Sequence, residues 1–287
     1  MPTDIQKTLE AITQFYASDM SQRTFNAMVI GEPDAGKTTL FKTCPRPIFI
    51  DSFDPGGTRA IEEYVYHPET NPEGFIFVDT SWEAEDPTQP EVMLRYENTF
   101  KERKKAGFFE MFGTYGVDSL TTFYDALLVQ ILKKENRLFK GLNMVGGEGQ
   151  GMRIQDWGTI LFYMKVFFTR WCALPCNFMI MAHIAKDKNE VTGEIINTIA
   201  VSGQTKDKAP AYVDEVYTLL KAPTAEDKHK RVLLTQDDKK WMGRSRLSKG
   251  GLLDAREKPD ICNLLKKANR PYGDVENWRS LLLMEPK

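Results

Sequence analysis

The chain contains no apolar run of the ~18–20 residues that a bilayer-spanning helix needs, so no segment reads as a membrane anchor. Met1 to Glu10 lacks the basic-then-apolar order of a secretory signal. Cysteine is scarce, and Cys44, Cys172, Cys176 and Cys262 form no C-x-x-C pair. Cys172 and Cys176 lie in an apolar stretch, where free buried thiols of a cytosolic protein are expected over a zinc site. Charge of one sign is also lacking. A net charge of −2 over 287 residues does not by itself point to nucleic acid, so any such contact must come from local basic patches. What is present is an ordinary globular composition, 41% hydrophobic and 27% charged, which favours one large α/β domain over two equal ones. The expected location is the cytoplasm.

Against that background one stretch stands out. Gly31-Glu32-Pro33-Asp34-Ala35-Gly36-Lys37-Thr38 fits G-x-x-x-x-G-K-[ST], a Walker A phosphate loop. The spacing has a mechanical reason: a run of backbone N–H groups must wrap a polyphosphate, and glycine permits the close approach and dihedrals required. Thr24 to Ile30 reads as the strand before the loop, and Thr39 to Thr43 as a short helix after it, stopped by Cys44-Pro45-Arg46-Pro47. Residues Gly31 to Thr39 are therefore the expected nucleotide-binding segment. Lys37 would reach the β/γ oxygens, and the Thr38 hydroxyl would ligate Mg²⁺.

Other elements follow in chain order. Ile5, Leu9, Ile12 and Phe15-Tyr16 predict a leading helix over about 4–19 that docks on its own domain or on a neighbour. Pro47 to Asp51 reads as a buried strand running into the breaking signals of Ser52 to Gly57, and either Asp51 or Asp54 is placed to polarise an attacking water. Gly74 to Asp79 predicts a third strand, and Pro90 to Lys105 a helix with a basic, solvated end. Phe112 to Thr121 resembles a Walker B element, with Asp118 holding Mg²⁺ through a water opposite Thr38. A helix over 120–139, a glycine-rich loop over 141–153 and a second helix over 155–174 follow. Asn177 to His183 reads as a buried strand whose terminal histidine senses the γ-phosphate or the water. Ala185 to Gly193 reads as a hairpin or flexible loop. Val213 to Leu220 and Arg231 to Thr235 read as antiparallel strands around Pro223-Thr224. The basic stretch from Lys228 to Lys249, with Lys239, Lys240, Arg244 and Arg246 around Trp241, suits phosphate binding on DNA or on a neighbour's nucleotide. Two short docking helices, Asp260 to Lys267 and Trp278 to Leu283, close the chain.

The order of these elements resembles the RecA-like P-loop ATPases, most closely the compact phage-encoded members that accompany single-strand DNA annealing. The resemblance covers about residues 24–250. It rests on GEPDAGKT followed closely by IFIDSFDPGG, on YGVDSLTTF, and on MAHI followed by a long polar loop, Val201-Ser202-Gly203-Gln204 and DEVYTLL. It implies an α/β RecA-like P-loop NTPase core with a mostly parallel central sheet flanked by helices, plus antiparallel terminal strands. The domain plan would be an N-terminal helix over 1–23, an ATPase core over 24–250 and a C-terminal helical tail over 251–287.

The resemblance further implies ATP and Mg²⁺ as cofactors and single-stranded DNA as a partner. DNA would be bound by loops matching Gly146 to Arg153 and about Lys186 to Gln204, with Arg153, Lys186, Lys188 and Lys206 as contacts. It implies a homo-oligomer, filament or ring, with nucleotide at the subunit interfaces, a trans cation drawn from Lys239, Lys240, Arg244 and Arg246, and a single-strand-binding protein as a further partner. One departure stands out. Where the family carries a catalytic Glu two residues after the strand Asp, this chain has Phe53, and Asp54 lies one place later and one carbon shorter. The catalytic set is then Lys37, Asp54, His183 and Arg244 or Arg246. The expected activity is a Mg-dependent ATPase stimulated by single-stranded DNA in phage recombination or annealing. The alternative is a nucleotide-gated mediator with little turnover. A small-molecule phosphotransferase ranks last, because the glycine-rich loop offers only Arg153 to close over an acceptor.

Overall fold

The computed structural model describes residues 5–6, 24–86, 89–138, 152–188, 193–238, 240–248, 251–276 and 278. All but residues 5–6 of the expected leading helix, most of the glycine-rich loop, Lys239, Lys249 and nearly all of the last helix lie outside the described residues. Among the described residues, no helix is long and apolar enough to cross a membrane.

The chain runs β1 (Asn26–Gly31), α1 (Lys37–Leu40), β2 (Ile48–Ser52), β3 (Ile76–Asp79), α2 (Val92–Lys105), β4 (Thr114–Asp118), α3 (Leu120–Lys134) and α4 (Ile154–Trp171). It continues through β5 (Asn177–Lys188), β6 (Ile195–Ile199), α5 (Thr205–Lys208), β7 (Glu215–Lys221), β8 (Arg231–Leu234), β9 (Arg244–Ser245), β10 (Arg256–Glu257) and α6 (Ile261–Lys267). The sheet order is β10-β8-β7-β1-β5-β4-β2-β3. The strands from β7 to β3 pair in parallel. Strands β8, β9 and β10 are antiparallel additions at the other side, and β6 folds back on β5. A mostly parallel sheet flanked by helices with antiparallel terminal strands is therefore present.

Central strands such as NAMVIG and IFIDS are buried at every position, as parallel strands covered on both faces must be. One face packs under α2, α3 and α4 and is aromatic-rich: Phe53, Tyr96, Phe123, Phe167 and Trp171 contact one another there. The other face packs under α1 and α6, with Phe41, Met179, Tyr217, Ile261, Leu264 and Leu265. Ile261, Leu264 and Leu265 are fully buried, which contributes about 1.5–3 kcal/mol each. Asp260 caps α6 by accepting from the Asn263 N–H at 3.0 Å. With β10 in the sheet, residues 256–267 share the core of the main domain.

Of the two readings of Ala185 to Gly193, the hairpin is the one present over the described residues: β5 runs without a break to Lys188, and Ile184 to Lys188 pair with Ile199 to Ile195. Asp51 does not reach the ligand edge. Its buried carboxylate accepts from Trp82 Nε1 (2.8 Å), Arg103 (2.9 Å) and Tyr115 OH (2.6 Å). Odd positions of β2 face the aromatic core, so Asp51 points inward with Phe49, and Arg103 joins it to Asp79.

The four cysteines are free, Cys44 and Cys176 buried and Cys172 and Cys262 half-buried. Burial pushes the Cys172 and Cys176 thiols up to about 12.

Candidate functional site

Parallel strands place their carboxyl ends on one edge of the sheet, where ligands of open α/β folds bind. Register brings the expected residues there together: Gly31 lies level with His183 and Leu219, and Ser52 with Asp118. The loop from Gly31 to Thr38 leaves β1 at this edge and turns into α1, which continues as a 3₁₀ turn over Phe41–Thr43. Gly36 takes φ +95°, a left-handed conformation that side chains resist, and Asp34 also has positive φ at 59°.

Several loop carbonyls are engaged by donors of the chain itself. Lys37 Nζ donates to Gly31 O at 3.0 Å and Glu32 O at 3.1 Å. The Ala35 N–H donates to Glu32 O and the Leu40 N–H to Gly36 O, each at 3.1 Å. The N–H groups of Gly36 to Thr39 belong to the start of the helix, where amides have no intrahelical acceptor. This is the arrangement of a backbone anion nest.

Lys37 is buried, and burial lowers its pKa against the opposing charges of Asp118 and Asp54. Its ammonium also lies 3.4 Å from His183 Nδ1. The other ring nitrogen, Nε2, lies 2.8 Å from Asp54 Oδ2, while Ser119 Oγ (2.8 Å) and Thr122 Oγ1 (2.5 Å) donate to Asp54 Oδ1. Burial alone would raise the Asp54 pKa, but His183, Thr122 and Ser119 outweigh it and hold the carboxyl below its ordinary value. Phe53 and Asp54 also donate their N–H groups to Asp118 O, at 2.6 and 3.1 Å. Phe53 itself is buried, stacked on Trp82 and edge-on to Tyr96 and Phe123. The position where the resembled family has Glu is thus a core anchor, and the next residue carries the carboxylate into the site.

Thr38 Oγ1 donates to Asp118 Oδ2 at 2.6 Å. Asp118 is almost fully enclosed, and burial pushes its carboxyl up to about 6 despite the Thr38 hydrogen bond and the Lys37 charge. A buried carboxylate beside a hydroxyl and a phosphate loop fits Mg²⁺, which uses one or two protein oxygens and takes the rest from phosphates and water. Among the described residues, no cluster of three or more His, Cys, Asp or Glu forms a metal cage.

Other expected residues lie elsewhere. Arg244, on β9 beside the first residues of β7, donates to Pro210 O (2.6 Å) and Val213 O (2.7 Å). Arg246 pairs with Asp214 at 2.6 Å on the surface. Neither meets the phosphate loop of its own chain. Lys186 and Lys188 are exposed on the β5–β6 hairpin, Lys206 pairs with Asp187, and Arg153 is exposed at the start of α4.

Sequence reasoning missed Ser119 and Thr122 as the donors that hold Asp54. Their spacing at the start of α3 is that of a capping box, which is the signal that marks them. It also missed Glu83, which accepts from Ser52 Oγ (2.6 Å) and the Gly56 N–H (2.9 Å) and so braces the turn carrying Asp54. Lys221 and Arg231, which flank the phosphate loop, had no local signal beyond basic charge.

The fold and this loop define a P-loop nucleotide-binding protein. A family model described as an AAA domain matches residues 23–247, well over half of the chain, and the chain belongs to that family of ATPase domains. No curated protein compared with it gives a match.

Proposed function

We propose that the chain is a RecA-like, Mg²⁺-dependent ATPase that works on single-stranded DNA, in phage recombination or strand annealing. The observation that carries the metal-nucleotide part is Thr38 Oγ1 on Asp118 Oδ2 at 2.6 Å, beside a buried Lys37 on the phosphate loop. Mg²⁺ bound by Thr38 and Asp118 would supply charge neutralisation at the β- and γ-phosphates. Lys37 would bind the same oxygens once released from the loop carbonyls. Asp54 would orient the attacking water, with Ser119, Thr122 and His183 fixing its carboxylate and His183 spanning to Lys37. Catalysis on this reading is positioning and charge stabilisation.

The DNA part is supported by the continuity of β5. The same strand that carries His183 continues to the exposed Lys186 and Lys188, so a change at the phosphate edge has a rigid route to the hairpin. The sheet order and the antiparallel terminal strands support the RecA-like reading. Nucleotide shared between subunits of a filament or ring remains part of the proposal, with Arg246 as the trans cation, since Arg244 is committed to carbonyls of its own chain. A single-strand-binding protein is the further partner proposed.

The second reading, a nucleotide-gated mediator with little turnover, is favoured by one observation. Phe53 fills the usual Glu position, and the Asp54 carboxylate is stabilised by three donors, which weakens it as a base. ATP hydrolysis with Mg²⁺, with and without single-stranded DNA, separates the readings. DNA-stimulated turnover lost in Lys37→Ala supports the first. Tight nucleotide binding with negligible turnover supports the second, and turnover indifferent to DNA removes the DNA assignment.

A further inference from the structure

The β7–β8 hairpin ends beside the phosphate loop and sends two cations onto it. Lys221 and Arg231 lie directly opposite each other across the hairpin. Lys221 Nζ pairs with Asp34 Oδ2 at 3.0 Å. Arg231 Nε donates to Ala35 O at 3.1 Å, while its NH1 is held by His229 O at 2.7 Å. Lys221 and, to a lesser degree, Arg231 hold the exposed Asp34 carboxyl below its ordinary value.

The contact on Ala35 O has a geometric consequence. The cis peptides are at Arg46–Pro47 and Asp118–Ser119, so the Ala35–Gly36 bond is trans. In a trans peptide the C=O of one residue and the N–H of the next point in opposite directions. An acceptor held outward by Arg231 therefore aims the Gly36 N–H inward, toward the space the loop encloses. Lys37 and two backbone amides occupy the carbonyls of Gly31, Glu32 and Gly36, and Arg231 supplies the donor at Ala35. Asp34 adds a need for charge compensation. The loop carries an acid within a site for a polyanion, and Lys221 offsets it.

We propose that Arg231 is a positioning residue for nucleotide binding, holding the phosphate loop in its anion-binding shape from outside, with Lys221 neutralising Asp34 beside it. This rests on the nucleotide-binding reading of the loop. Arg231 acts through Gly36 and touches no reacting atom, so it contributes equally to ground state and transition state. Its loss therefore raises KM and leaves kcat nearly unchanged. A hydrogen bond from a charged donor is worth roughly tenfold or more in an equilibrium.

The test is titration of the full chain with fluorescent ADP and ATP in the presence of Mg²⁺, together with steady-state hydrolysis and a thermal melt of each variant. Arg231→Met is expected to weaken binding of both nucleotides about tenfold, with kcat within about twofold of wild type. Arg231→Lys, which keeps a cationic donor, is expected to recover most of that loss. Lys221→Met is expected to give a smaller loss that high salt abolishes, since the pair it breaks is exposed. Binding by Arg231→Met within twofold of wild type overturns the proposal and leaves the nucleotide reading intact. A variant that lowers the melting temperature and the active fraction at unchanged KM and Kd also overturns it. Absence of nucleotide binding by the wild-type chain overturns both.

Discussion

Around Asp51, burial and pairing set the energetics. Its carboxylate is fully enclosed and is served by Trp82, Tyr115 and Arg103, and burial still raises its pKa above the ordinary value. Removing one member of such a buried ion pair costs about 3–5 kcal/mol, because the other charge is left uncompensated. Asp54, three residues on, faces the phosphate loop through His183. The two acids therefore answer mutation differently. Asp51→Ala is expected to lower the urea unfolding free energy by about 3–5 kcal/mol with nucleotide KM unchanged in the folded fraction. Asp54→Asn, which keeps an acceptor for Ser119 and Thr122, is expected to reduce kcat by about 10²–10⁴ at a smaller cost in stability than Asp51→Ala. Equal effects of the two substitutions on kcat would contradict the division of roles. The two acids look alike in IFIDSFDPGG, and strand alternation separates their destinations only once the core face of β2 is known.

At the scale of elements, the seating of α1 on β4 matters most. Gly116, two residues before Asp118, lies under the Phe41 ring, and a Cβ there would sit 2.4 Å from a ring carbon. Phe41 follows directly on α1, so this contact sets how closely the segment bearing Lys37 and Thr38 approaches the strand bearing Asp118. Gly116→Ala is expected to destabilise the fold by about 1–3 kcal/mol through overpacking, measured by denaturant unfolding, and to raise the KM for nucleotide by moving Thr38 off Asp118. An unchanged KM in the folded variant would show that α1 is seated without this contact. A glycine inside a strand marks such an approach in the sequence, although the ring that makes it lies 75 positions upstream (116 − 41). Most helices and parallel strands were legible from periodicity and flanking breakers. The short strands β9 and β10 were not, because two-residue pairings carry no alternation.

For the whole molecule, the site draws residues from five places: the exit of β1, the turns after β2 and β4, the middle of β5 and the β7–β8 hairpin. A ligand that joins them binds only the folded chain and so stabilises it by mass action. Mg²⁺-nucleotide at 100 times its Kd is expected to add about 2.7 kcal/mol to global stability, read as a rise in melting temperature that Lys37→Ala abolishes. A melting temperature indifferent to nucleotide at saturating concentration would contradict assembly of the site from both halves of the sheet.

The phosphate loop is a local feature and is readable in the sequence by itself. GEPDAGKT specifies a phosphate loop because its glycines, lysine and threonine act within one turn of chain, and a buried strand followed by Asp118-Ser119 announces the second carboxylate. Tertiary structure decided which of two nearby acids enters the site, which histidine nitrogen meets Asp54, and that Lys221 and Arg231 grip a loop nearly 200 positions earlier. Those outcomes depend on which strands become neighbours and in what register. That is set by the summed burial of two sheet faces, and no window of the sequence contains it.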